Sequence, residues 1–138
     1  MVKTYSFAVE TKGFNEMIDI TSQVESILNE SPFNEGSILI FAPGSTAGIT
    51  TIEYEPGLLK DYPKFFEKII PMSETYQHNE TWHDGNGFSH VRASLQGASF
   101  TVPFVDKQML LGTWQQIILV DFDNRPRHRK IIVQINGE

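Results

Sequence analysis

Polar and apolar residues alternate over residues 2–10, VKTYSFAVE, which puts Tyr5, Phe7 and Val9 on one face of a predicted strand. Gly13 interrupts it. DITSQVESILNE then changes period: Ile20, Val24, Ile27 and Leu28 follow helical spacing, and Ser22 and Glu25 have the spacing of a capping box. Pro32 and Gly36 close this unit. SILIFA (37–42) is an apolar run suited to a buried strand, and Pro43-Gly44-Ser45 turns the chain into a β-branched stretch, GITTIEYE. Glu53 lies inside that stretch, among residues that read as buried.

From Gly57 to Ile70 the period is helical again, with Leu59, Tyr62, Phe66 and Ile69 on one face. Pro63 belongs in a first turn, so the regular helix is expected to start near Asp61. After Pro71 comes a polar loop, and then three strand-like stretches: HVRASLQG followed by ASFTVPFV, MLLGTWQQIILVDFD, and RKIIVQING. Gln96-Gly97-Ala98 is expected to form a bend or bulge. Both alternating sets of the long run are apolar, Trp114, Ile118 and Val120 against Ile117 and Leu119, so it is expected to be covered on both sides. Helices would cover one side and a neighbouring subunit the other. These elements predict one α+β domain over residues 1–138, a large mixed or antiparallel sheet sandwich with two main helices.

Composition narrows the function classes. A formal charge of −6 argues against an electrostatic grip on nucleic acid or an anionic membrane surface. No apolar run is long enough to span a bilayer, no secretory signal is visible, and cysteine is absent. A cytoplasmic location is the expectation.

The candidate chemistry sits in the polar loop. Three of the four histidines, His78, His83 and His90, fall there with Asp84, and Gly85-Asn86-Gly87 allows the chain to reverse between them. Imidazoles with a carboxylate are the donors of a divalent metal site, although the spacing matches no compact metal motif. Exposed loop histidines are the plainer reading. His90 and Arg92, two apart in an expected strand, would share a face. Arg125, Arg127 and Arg129 form either a charged surface or a phosphate clamp. Gln115, an amide in an apolar strand, needs a partner. APGSTAGITT lacks the lysine of a P-loop, and no dinucleotide fingerprint is present, so no nucleotide cofactor is expected.

STAGITTIEYEPG, YQHNETWHDGNGFSHVRASLQG, LGTWQQI and DFDNRPRHRKIIVQINGE, in that order, resemble the YjbQ family of secondary thiamine-phosphate synthase-like proteins. The resemblance implies an α+β fold assembled as a homotrimer, with polar pockets near the subunit interfaces. It implies a possible transferase that joins a pyrimidine diphosphate to a thiazole phosphate and releases pyrophosphate. Within that reading Glu53, His78, Asp84 and His90 are the catalytic candidates, and Arg92, Gln115, Arg127 and Arg129 would hold the anionic substrate. His78, Asp84 and His90 are the candidate ligands for a divalent metal such as Mg or Zn. The partner is a small phosphorylated metabolite. Two alternatives stay open: a non-catalytic trimeric binding protein for a small anionic metabolite, and a metal-assisted hydrolase of phosphorylated metabolites. The sequence departs from the family wording twice, with Gly44 and Phe88 where relatives often have histidine.

Overall fold

Strand-forming alternation and two antiparallel sheets account for most of the regular structure. The computed structural model describes residues 1–138. Strands β1 (Val2–Thr11), β3 (Gly36–Phe41), β5 (Ser99–Val105), β6 (Gln108–Met109) and β8 (Arg127–Gly137) form a five-stranded sheet in the order β1-β8-β3-β5-β6. Strands β2 (Glu16–Asp19), β4 (Ala47–Ile52) and β7 (Gln116–Asp121) form a second sheet in the order β2-β7-β4. Every strand pair is antiparallel. The class is α+β as expected, but with four helices rather than two main ones: α1 (Thr21–Glu30), α2 (Leu58–Ile69), α3 (Gln77–Trp82) and α4 (Gly87–Gln96).

β7 shows why its run is apolar on both faces. Ile117 and Leu119 face the larger sheet and join a core with Ile38, Ile40, Ile131 and Val133. Ile118 and Val120 face the other way and pack with Phe66, Phe88 and Phe122 under α2 and α4. Both sides are therefore covered from within the chain, the larger sheet standing where a neighbouring subunit was expected. Trp114 does not belong to this strand. Its run breaks at a turn in which Gln115 N–H donates to the Gly112 carbonyl and Gly112 N–H to Gln115 Oε1, which leaves Trp114 69% exposed.

Three further expectations are corrected. Ser22 and Glu25 form no capping box; Asp19 Oδ1 instead accepts from Thr21 N–H and Oγ1, while the Ser22 hydroxyl donates to Gln23. Helix α2 starts at Leu58, because the Glu55 carboxylate accepts the free N–H groups of Gly57 and Leu58. Pro63 consequently lies in its second turn. The largest difference is HVRASLQG, which is helix α4 and not a strand. Its buried residues Phe88, Ser89, Arg92 and Ala93 recur at helical spacing, and Arg92 is buried while Val91 and Leu95 are exposed. No helix is long and apolar enough to cross a membrane.

Candidate functional site

The polar stretch after Pro71 folds as a helix–turn–helix. His83 is left-handed (φ 57°) and ends α3, Gly85 also takes a positive φ (69°), and Asn86 precedes α4. Non-glycine residues adopt that conformation at a cost, which the turn tolerates because it must reverse in few residues. The reversal brings His78 and His90 face to face, their ring centroids 4.0 Å apart and tilted by 37°. Asp84 Oδ1 lies 3.7 Å from His78 Nδ1, beyond hydrogen-bonding range, and His78 Nδ1 is a buried atom without a partner. Burial, and then the neighbouring His78 ring, hold the His90 imidazole below its ordinary range, with Asp84 and Asp123 pulling it up. His90 is therefore neutral at neutral pH.

The opposite wall comes from the connection between β7 and β8. Asp121 and Asp123 are fully buried, an expensive position for carboxylates unless each is paired. Arg129 supplies one partner, donating from Nε to Asp121 Oδ2 and from Nη2 to Asp121 Oδ1, each at 2.8 Å. Arg127 Nε donates to Asp123 Oδ2 at 2.7 Å. Burial alone would raise the Asp123 carboxyl. Hydrogen bonds from the Asn86 amide, the Asn124 backbone N–H, Arg127 and the Thr46 hydroxyl outweigh it and hold the group below the usual carboxylate range. The arginines are thus fixed through Nε. The Nη1 and Nη2 groups of Arg127 and the Nη1 of Arg129 make no hydrogen bond within the chain.

Between the two walls lies a cavity of about 360 Å³. His78, Asp84, His90, Arg127 and Arg129 line it, and Gly44, Ser45 and Thr46 form its floor. Asn86 lines it too and is almost wholly buried; its Nδ2 donates to Asp123, and its Oδ1 has no partner. Trp82 stands at the rim, 70% exposed. Five of the eight residues expected at the site therefore converge on one pocket.

The other three do not. Arg92, expected on the anion, is wholly buried on the far side of α4. Its Nε and Nη2 donate to the Ile70 carbonyl, Nη1 donates to Asn15 and Nη2 also to Glu67, while Phe88 lies against its guanidinium. All its polar capacity is spent on structure, and helical geometry turns it away from His90. Glu53 follows the end of β4 and is exposed, not buried. Gln115 donates to Thr51 Oγ1 at 3.0 Å, beside Glu53 and Trp114 on a separate shallow surface. Thr46 and Glu53 flank opposite ends of β4, roughly 20 Å apart at strand rise. No small ligand touches both within one chain.

His83 does not line the pocket. Phe88 points into the core, so only Gly44 of the two departures from the family wording bears on the pocket. Sequence reasoning overlooked Thr46, Asn86, Asp121 and Asp123. The signal was present in DFDNRPRHR, where carboxylates two apart precede arginines two apart.

The candidate metal ligands His78, Asp84 and His90 are not brought together as a group of three donors. His78 Nδ1 and Asp84 Oδ1 lie 3.7 Å apart, and the His78 and His90 rings face each other at 4.0 Å.

A family model described as "UPF0047 protein YjbQ-like" matches residues 5–138. A UPF0047 protein of Methanothermobacter thermautotrophicus is 39% identical over 99% of this chain and 94% of its own. UPF0047 protein YugU of Bacillus subtilis is 37% identical over 99% and 100%. The crystal structure of a YbjQ-like protein of unknown function from Sulfolobus solfataricus superposes with a TM-score of 0.90 at 34% identity, covering 100% of both chains. The expected thiamine-phosphate synthase activity is corrected by these findings, because the relatives are described only as UPF0047 proteins and the Sulfolobus protein as of unknown function. Glu53, a catalytic candidate for that reaction, and Gln115, expected to hold its substrate, also lie apart from the pocket. With the family model spanning nearly all of it, the chain belongs to the YjbQ-like UPF0047 family.

Proposed function

We propose that this protein binds a small phosphorylated metabolite, with the phosphoryl group held between the arginine edge and the imidazole pair. The observation that carries the reading is Arg127. Its Nε is fixed to the buried Asp123 carboxylate while both Nη groups remain free at the pocket wall. A guanidinium fixed at one edge offers its other edge to an oxyanion without further loss of side-chain freedom. Arg129 Nη1, beside Gly44, extends the same donor row.

Net charge does not drive this site, because Asp121 and Asp123 offset the two arginines. Directed hydrogen bonds carry the affinity, and protonation of the histidine wall adds to it. An anion beside His90 favours its cation, so binding takes up a proton and tightens as pH falls.

Calorimetric titration with inorganic phosphate tests the reading. Arg127→Gln keeps an amide donor for Asp123 but removes the free guanidinium nitrogens, and is expected to weaken phosphate by about ten- to a hundredfold. Sulfate, whose charge is constant over the range, isolates the imidazole contribution. Its affinity is expected to rise severalfold from about pH 8 to about pH 5.5, toward the limit of about tenfold that a one-unit rise in imidazole pKa on binding sets. No binding of either ion to the wild type, or binding unaltered in Arg127→Gln, defeats the proposal.

A further inference from the structure

Beyond the phosphoryl site a second cavity opens, of about 280 Å³. Gly44 and Ser45 line both cavities, so the two meet across this turn. The second is walled by Ala47, Ala93, Gly97 and Ala98, with Ser94 at its edge. No charged side chain faces it.

Two glycines keep this passage open. Gly44 has φ +144°, a conformation that side chains rarely adopt, and a Cβ there would approach Arg129 Nη1 to 3.3 Å. Gly97 has φ +97°, and a Cβ built on it meets nothing within 4 Å, so open space lies where a side chain would be. The backbone here is used elsewhere: Gly97 N–H donates to the Ala93 carbonyl, the Gly97 carbonyl accepts from Ile49 N–H, and that of Ala98 accepts from Ala42 N–H. The Ser94 hydroxyl donates to the His90 carbonyl. The cleft wall is therefore small, uncharged and largely satisfied in its own hydrogen bonding, a surface for aliphatic contact.

At its other end the passage meets polar atoms that still lack partners. They are the Nη groups of Arg127, donors on a residue that lines the first cavity. One end asks for an oxyanion, and the other accepts an uncharged body. Either cavity alone lies near the lower bound for small-molecule sites, about 300–1,000 Å³, whereas the two joined fall well within that range.

We infer that the ligand is a phosphate monoester of a short, unbranched, uncharged chain, its phosphoryl group at Arg127 and its chain passing over Gly44 into the cleft beside Gly97. This rests on the phosphoryl-binding reading above and names the class of molecule that the site takes. Charged bodies are disfavoured by the neutrality of the cleft, and bulky ones by its volume of about 280 Å³.

The test is a calorimetric series with inorganic phosphate and with methyl, ethyl and n-butyl phosphate on the full chain. Affinity is expected to rise about fourfold for each methylene from methyl to butyl, the gain for removing that group from water. Ser94→Leu and Ala98→Val, which narrow the cleft from different elements, are expected to flatten this dependence on length. If inorganic phosphate binds and the esters show no dependence on length, the inference is overturned and the phosphoryl site stands. A dependence that persists in both variants also overturns it, because the body then lies elsewhere, as against Trp82. If no phosphate compound binds, the phosphoryl reading itself fails and takes the inference with it.

Discussion

Replacing Arg92 with alanine is expected to destabilise the fold by about 3–5 kcal/mol, read as a lowered urea midpoint. The side chain is wholly buried and ties three parts of the chain together: the end of α2 through the Ile70 carbonyl, Glu67 on α2, and Asn15 in the turn before β2. Its loss opens a void against Phe88 and leaves a buried carbonyl without a donor. Glu67 is about half exposed and returns to water, so the orphaned carbonyl and the void account for most of the cost. Arg92→Lys is expected to recover only part of the loss, since one ammonium cannot reach all three acceptors in the geometry of the guanidinium fork. Phosphate affinity should be unchanged in whatever fraction remains folded. A variant that lost phosphate binding while keeping its stability would return Arg92 to the ligand site.

Asp121→Ala is the second large effect, about 3–5 kcal/mol of lost stability. Asp121 is fully buried, accepts two hydrogen bonds from Arg129, and accepts others from Thr11 Oγ1 and Asp123 N–H. Without it the Arg129 side chain, only 11% exposed, keeps its charge with Asp123 as the remaining carboxylate, at 3.8 Å. A buried charge deprived of its partner costs more than the pair contributes. Denaturant melts of wild type and variant measure this. A midpoint change equivalent to less than about 1 kcal/mol would mean that Arg129 finds water instead, and that the pocket is wetter than its burial indicates.

Arg92 also shows what the sequence made legible and what it hid. In HVRASL polar and apolar residues alternate, the pattern of a half-buried strand. The alternation is accidental: Val91 and Leu95 are exposed, while Arg92 is buried by contacts with α2 and the turn at Asn15 that no local pattern encodes. Tertiary pairing overrode local period, and it carried Arg92 out of the expected site. Trp114 misleads in the opposite sense, an aromatic residue read into a buried strand that a glycine turn leaves exposed. By contrast β1, β3 and the double-faced apolar run of β7 were readable, because burial on a known face is what their periods report.

In the site, His78, Asp84 and His90 announced themselves by type and crowding, as did Arg127 and Arg129. Asp121 and Asp123 did not, since carboxylates flanking an apolar residue read as the solvated edge of a strand. Only the turn from β7 into β8 reveals them as the buried anchors that aim the arginines. Glu53 and Gln115 were drawn into the site by resemblance. β4 separates them from it.

The central claim is a place: an oxyanion between Arg127 and the His78–His90 pair. The most direct measurement is a crystal structure of the full chain grown with tungstate, a heavy tetrahedral analogue of phosphate whose anomalous signal marks its position. The account predicts one ordered ion within hydrogen-bonding distance of the free Arg127 nitrogens and Arg129 Nη1, facing the two imidazoles. An ion ordered only elsewhere on the chain, beside Arg125 or Lys107, with this pocket holding solvent alone, would contradict it.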